Sequence, residues 1–494
     1  MSRFHFYAAV VLILLGTQGA RSETAPDPNR GLYAIWTKPG VGDDLPFIKG
    51  GQAIVQWREV EPSEGRYDFS KLHARLEELD RPGRATTVQL NANQLPAYLF
   101  TKVPYLPVEV SSYQDSRGTP QYWHPAYVKA YTDLIAAFAR EVKSSRYRSR
   151  VVGVRLNYDG IGTEHMIVPP QYRDPKRWVV PPGVEPAPPW SEEIAAAYRR
   201  IVLDTFLRKF SPDIRVLMRS HLPAYSEPDQ ESLRAAEAGQ GKLGFLYTAC
   251  DIEAKTPAQA SVFEKVFLHY CRPGTMVCYG EQVSDSTGEH PKFNDPRWTS
   301  PEQWNYWRLL SDLNLGFSII GVFGWEIEKV DNPEYRGAFD FAARYVGYHA
   351  SPSVAPGAWV ALREGGRQIK GDYTFLMRRL PGAPVRAEQK IGPVGQRFGA
   401  WALTLPKGAK VRFALDPVFS RSLKGATVRV VYLDQGAGRF AVHAAGREFP
   451  VKLAGSGRWK TVEFDVHRPG VDLAITAGAD VTLHMIEVVR RSLP

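Results

Sequence analysis

Residues 54–69 read IVQWREVEPSEGRYDF, and the fold of this stretch governs the reading of the whole chain. Ile54, Val55 and Trp57 are β-formers preceded by Gly50 and Gly51, which marks a buried strand, and Pro62 with Gly65 marks the turn that ends it. A helix follows at once. Ser70 is placed to cap it, and Leu72, Leu76 and Leu79 recur at helical spacing in SKLHARLEEL. A strand, a polar turn and an amphipathic helix make one β/α unit, whose chemistry gathers at the C-terminal end of the strand.

The same alternation runs outward in both directions. GLYAIWT (31–37) reads as a first strand, and a third from about Thr86 ends in Asn91 and Asn93. VVGVRLNYDG (151–160) is a fourth, IRVLMRSH (214–221) a fifth and KLGFLYTAC (242–250) a sixth. GTMVCYGEQ (274–282) and GFSIIGVFGWE (316–326) follow as seventh and eighth. Helices fall between them: one from Pro125, where a missing N–H is harmless, one from Ser191 with Glu192 and Glu193 in its first turn, and further segments at PAQASVFEKVFLHY and SPEQWNYWRLLSDLN. Eight such strands predict an α/β fold, a (β/α)8 TIM barrel over 23–350. An open doubly wound sheet is disfavoured, because no G-x-G-x-x-G follows any strand. At 494 residues the chain has room for a barrel of about 250 residues or more and a second module. After SPSVAPG (351–357) short β-rich runs spaced by Gly and Pro predict an all-β sandwich, jelly-roll-like, over 351–494.

Residues 1–22 read as a signal peptide, with Arg3, a short apolar run at 8–15 and a small-x-small site at Ala20-Arg21-Ser22. The expected location is therefore secreted or periplasmic, with no membrane span. The cysteines, Cys250, Cys271 and Cys278, are odd in number, so at least one is unpaired within the chain. A net charge of +10 admits an anionic polysaccharide as partner. Nucleic acid is not expected, since no basic run is interleaved with aromatics. H-E-x-x-H, EF-hand, P-loop and G-x-S-x-G signatures are absent, so no cofactor or metal is expected.

The string W-x-x-V-E-P-x-E-G-x-Y-D-F-S from Trp57 to Ser70 resembles the second β/α unit of clan A glycoside hydrolases, especially the family-42 β-galactosidase-like branch. The resemblance implies an acid/base glutamate after strand four and a nucleophilic glutamate closing strand seven, which map onto Glu164 and Glu281. The clan keeps Asn directly before its acid/base, whereas here Asn157 lies seven residues upstream and Thr163 is adjacent, so Asp159 stands as an alternative acid. Glu326 at the eighth strand end competes with Glu281. The same resemblance makes Trp57 and Trp325 sugar-facing aromatics and Tyr247 a donor to the nucleophile, with Tyr279 in the Tyr-Gly-Glu placement. Each of these aromatics has a core role as its alternative. Arg58, Asn91, Asn93 and His221 are candidate hydroxyl or nucleophile partners, and Glu59 and Glu61 are expected to brace the turn. The function implied is an exported retaining glycoside hydrolase cleaving β-glycosidic bonds in an oligo- or polysaccharide. The alternative is a carbohydrate-binding barrel without catalysis.

Overall fold

The computed structural model describes residues 23, 25–38, 40–110, 117–158, 167–219, 243–249, 277–282, 300–363, 371–467 and 473–491, and of 219, 243–249 and 277–282 it gives the backbone path. The signal peptide, Asp159, Glu164, His221, Cys250, Cys271 and the helix expected at 257–270 lie outside the described residues.

The N-terminal part is built on parallel strands β1 (Gly31–Ile35), β2 (Ile48–Gln56) and β3 (Ala85–Asn91), then, after a small antiparallel pair β4 (Tyr105–Leu106) and β5 (Thr119–Pro120), on β6 (Val151–Leu156), β7 (Arg215–Arg219), β8 (Leu243–Ala249), β9 (Val277–Gln282) and β10 (Ile319–Phe323). The parallel strands pair in the order β1-β10-β9-β8-β7-β6-β3-β2, and β2 pairs back with β1, so the ring returns to its start. Every strand expected from sequence is present, with altered ends. The second begins at Ile48, and Trp57 already belongs to the helical turn Trp57–Val60, where the Gln56 amide donates to the Glu59 carboxylate at 3.0 Å. The fourth leaves the sheet after Leu156, and the eighth passes into the turn Gly324–Ile327.

Inside the ring Tyr33, Ile35, Ala85, Leu217, Ile319 and Phe323 form a small apolar cluster of their own. Gly50 makes room for it, because a Cβ there would stand 2.3 Å from the Ala85 carbonyl oxygen and 2.5 Å from the Tyr33 ring. Outside the ring the helices Ser70–Leu79, Pro125–Ser144 and Glu192–Phe210 bury their apolar stripes against the strands. Ser191 caps the last of these through the Ile194 amide, as its sequence position predicts.

In the C-terminal part the named strands pair antiparallel. Its strands are β11 (Gly357–Ala361), β12 (Tyr373–Phe375), β13 (Met377–Arg379), β14 (Arg386–Gln389), β15 (Trp401–Leu405), β16 (Lys410–Leu415), β17 (Gly425–Asp434), β18 (Gly438–Ala444), β19 (Arg447–Leu453), β20 (Arg458–His467), β21 (Leu473–Ala477) and β22 (Val481–Arg490). One sheet runs β12-β11-β22-β15-β14 with β17 and β20 joined at β22, and the other runs β13-β16-β21-β18-β19. Ring pairs such as Tyr432 on Phe440, at 5.1 Å, close the two sheets over a common core.

The two parts share one aromatic seam. The helix Pro301–Leu315, capped by Ser300, is buried on all sides from Gln303 to Leu315, because the ring covers one face and the sandwich the other. Trp307 meets Trp401 at 4.8 Å and His484 at 5.1 Å, and Tyr306 Oη is 3.0 Å from His484 Nε2. Arg397 pairs with Glu334 at 2.7 Å, and Arg344 pairs with Glu487 at 3.1 Å, across the same seam. The sandwich is thus joined to the barrel through β11, β12, β15 and β22 of that sheet.

Candidate active site at the strand ends

Parallel strands present their C-terminal ends to a common mouth, and toward the ends of β2, β3 and β6 stand the polar residues Gln52, Gln56, Gln89, Asn91 and Arg155, with Asn157 just beyond β6. Register sets Gln56 level with Asn91, Ile54 with Gln89, and Gln89 with Arg155. The side chains join in one chain of hydrogen bonds. Gln52 Nε2 donates to Gln89 Oε1 at 2.7 Å, and Arg155 Nη1 donates to the same oxygen at 3.2 Å. Gln89 Nε2 and Asn157 Nδ2 both donate to Asn91 Oδ1, and Asn157 Nδ2 also reaches the Leu90 carbonyl at 2.7 Å. Asn91 and Asn157, singled out separately in the sequence, are therefore one fully buried pair. Among the described residues Asn91 Nδ2 and Asn157 Oδ1 remain unmatched, and Asn93, half-buried, has no partner for its Oδ1. Unmatched buried amide groups at a mouth are suited to ligand hydroxyls, which satisfy them on binding.

Glu281 is the penultimate residue of β9, level with Thr248 of β8 and Gly321 of β10. Tyr247 is level with Gly280, and Tyr279 with Leu246 and Ile319, so Thr248 rather than Tyr247 is the β8 position beside Glu281. Asp159, Glu164 and His221 lie outside the described residues.

Two expected ligand contacts have other surroundings. Trp57 is fully buried, packed on Tyr127 and Tyr131 at 5.3 Å each, and its Nε1 donates to Glu61 at 2.6 Å. It faces the helix Pro125–Ser144 rather than the mouth. The reason is local: β2 ends one residue earlier than expected, so position 57 turns outward in a helical turn. Glu61 also accepts from the Gly65 amide at 2.8 Å, so it braces the turn as its position predicts, and burial raises its pKa from its ordinary value. Glu326 is fully buried too, 3.5 Å from Lys329 Nζ in its own helical turn. Arg58 is exposed and donates to Gln94 at 2.8 Å.

Trp57→Phe is expected to lower stability by about 1–3 kcal/mol in urea unfolding, because it leaves the buried Glu61 carboxylate short of a donor. Substrate KM is expected to be unchanged. A raised KM with unchanged stability would return Trp57 to the sugar site.

Trp325 lies in the helical turn that follows the end of β10. It is 38 % exposed and stacks on Phe323 at 4.3 Å. Trp36, 40 % exposed with φ of 50°, directly follows the adjacent strand β1, whose Ile35 is level with Phe323, and lines a cavity with Gln52, Ile54, Arg75 and Arg84. The sequence reading passed over Trp36, although its place after the first strand in GLYAIWT is the same signal that marks Trp325.

Residues 51–157 match the model of glycoside hydrolase family 42, Beta-galactosidase. No curated protein matches the chain. Among solved structures, overlaps occur with the Clostridium thermocellum endo-1,4-beta-D-xylanase 10B modules (12 % identity, 24 % of this chain and 26 % of that one, TM-score 0.18). Others occur with a ruminal GH26 endo-beta-1,4-mannanase (10 %, 18 % and 19 %, TM-score 0.14) and a Streptomyces thermodiastaticus GH87 alpha-1,3-glucanase (16 %, 24 % and 26 %, TM-score 0.16). Each overlap spans about a quarter or less of the solved chain and carries no argument here. Over the segment that carries β2, β3 and β6, with the buried Asn91–Asn157 pair at its mouth, this chain is similar to the family-42 β-galactosidases, the clan A glycoside hydrolase branch that its Trp57-to-Ser70 motif resembles.

Proposed function

We propose that this chain is an exported, retaining glycoside hydrolase of (β/α)8 barrel type, acting on β-linked sugars, with an appended jelly-roll-like sandwich. The observation that carries the reading is the coincidence of the family-42 match at 51–157 with the polar strand ends of β2, β3 and β6. The catalytic roles follow from clan resemblance. Glu281 attacks the anomeric carbon while Glu164 protonates the leaving oxygen, and Glu164 then takes a proton from the water that releases the sugar. Asp159 is the alternative for the second role. Asn91, Asn93 and Asn157 engage sugar hydroxyls, and Trp36 and Trp325 carry the apolar face of the ring.

The test is hydrolysis of aryl β-glycosides followed by proton NMR of the first-formed anomer. Retention is expected, since carboxyl groups about 5 Å apart leave no space for a water between them. Inversion would remove the clan assignment. A second reading, a barrel that binds glycan without cleaving it, is favoured by one feature, the displacement of Asn157 from the residue before Glu164. Glycan binding with no turnover on any substrate of the panel would select it.

A further inference from the structure

The outer face of the sheet β13-β16-β21-β18-β19 carries its charge in an unusual way. Arg378, Lys410, Arg412, Arg439 and Lys452 are all exposed on it, and none of the five makes an ion pair among the described residues. Register fixes them to one side. Arg378 lies level with Ala414, Arg412 with Ala474, Lys410 with Thr476, and Arg439 with Lys452. Between the cations the floor is small: Ala414, Ala474, Ala441 and Thr476, whose hydroxyl meets His443 Nε2 at 2.9 Å. Glu448, level with His443, is the one carboxylate at a register position on this face among the described residues.

The other sheet matches its charges instead. Arg429 pairs with Glu463 at 2.9 Å, and Arg386 with Glu388 at 2.7 Å. A surface that only needed solubility would intersperse both signs, as that sheet does. Five strands at about 4.8 Å spacing make a strip roughly 19 Å across, suited to an extended chain rather than a single sugar. At the Arg378 edge the strip opens into a cleft of about 800 Å³ lined by Pro381, Pro384 and Thr374.

We infer that this sheet face binds an anionic polysaccharide, holding an acidic glycan chain across β13 to β19 through the five unpaired cations. The choice of glycan rests on the glycosidase reading of the barrel. Two features of the face itself favour it over nucleic acid: among the described residues His443, held by Thr476, is the single ring at its outward register positions, so successive bases find no row of platforms to stack on, and its floor is of small residues. Repulsion among the bare cations is relieved by a polyanion, and the attraction is screened by salt.

Affinity electrophoresis and titration calorimetry of the whole mature chain test this, with polygalacturonate, an uncharged galactan and a duplex DNA of matched length as probes. Polygalacturonate is expected to bind, galactan not to compete, and binding to weaken about tenfold or more as salt rises from about 50 to about 500 mM. The triple variant Arg412→Glu, Arg439→Glu, Lys452→Glu is expected to lose at least about tenfold in affinity, because it turns attraction into repulsion. Arg140→Glu, Arg200→Glu, Lys209→Glu on barrel helices makes the same change in net charge and is expected to lose less than about threefold. If the sheet triple lowers the melting temperature, the three Gln substitutions replace it, with a smaller loss in the same direction. Equal losses in the two triples would reduce the effect to net charge and overturn the proposal, as would tighter binding to DNA than to polygalacturonate, or no polyanion binding at all. Binding is read without hydrolysis, so a failed glycosidase assay leaves this outcome separate.

Discussion

Glu281→Gln is expected to abolish turnover, lowering kcat by about four orders of magnitude or more on every substrate, because in the proposed mechanism an amide does not attack the anomeric carbon. The backbone place of residue 281, level with Gly321 and Thr248 near the end of β9, favours an isosteric change without collapse of the ring. Melting temperature is therefore expected to stay within a few degrees of wild type. Glu164→Ala behaves differently. With a poor leaving group it costs about 10²–10⁴ in kcat, the usual worth of general acid catalysis, and with a good leaving group it costs little in the first step. Added azide then enters in place of water and yields the β-glycosyl azide, since no base is needed to activate it. If Asp159→Ala shows the azide product and Glu164→Ala resembles wild type, the acid is Asp159. An active Glu281→Gln enzyme with retained stereochemistry would move the nucleophile elsewhere, and Glu326→Gln is the comparison to make.

The sandwich expressed alone, from Gly357 to Pro494, is expected to be insoluble or unfolded, as is the barrel without it. A free-standing sandwich would expose the inner sheet that Trp307, Tyr306 and Tyr345 now cover, including Trp401, His484, Trp359 and Phe375. Exposed apolar patches of that extent are an aggregation liability. In the intact chain Trp307→Ala is expected to cost about 3–5 kcal/mol, as for other fully buried tryptophans, measured by urea unfolding of the whole protein. A soluble, cooperatively folding fragment would show that the seam is a contact between independent domains.

His484 gives the seam a pH signature. Burial pushes its pKa down from 6.5 to about 3, and the nearby Arg397 charge adds to the effect. The folded state therefore resists a proton that the unfolded chain accepts. Its contribution is fully present above pH 6.5 and is lost progressively as the pH falls toward about 3. Asp312 and Asp372, which burial raises to about 6, act in the opposite sense between 3.8 and 6. The His484 part is read as the difference between wild type and His484→Gln, which should narrow as pH falls. A difference independent of pH would place His484 outside the linkage.

Much of this architecture is already legible in the chain. Parallel strands buried on both faces read as short continuous apolar runs, so all eight were visible, and Ser191 and Ser300 announce their helices because a serine side chain satisfies a bare amide wherever a helix begins. Asn91, Asn157 and Trp325 were visible as strand-end residues for the same reason, since strand ends can be counted along the sequence. The direction in which a side chain points past the last strand residue cannot be counted. One residue of difference in where β2 stops turned Trp57 from the mouth to the outer core and made Glu61 its acceptor. Pairing of β1 with β10 sets Ile35 level with Phe323, so Trp36 and Trp325 follow neighbouring strand ends, a proximity that sequence order does not show. The helix Pro301–Leu315 carries Arg308 and Asp312 among its aromatics, and both are fully buried, because its second face is covered by strands from residues 357–490. Local periodicity is set by backbone geometry and can be read from neighbours in the chain; pairing across distant segments is set by the sum of many packing contacts, which only the folded structure brings together.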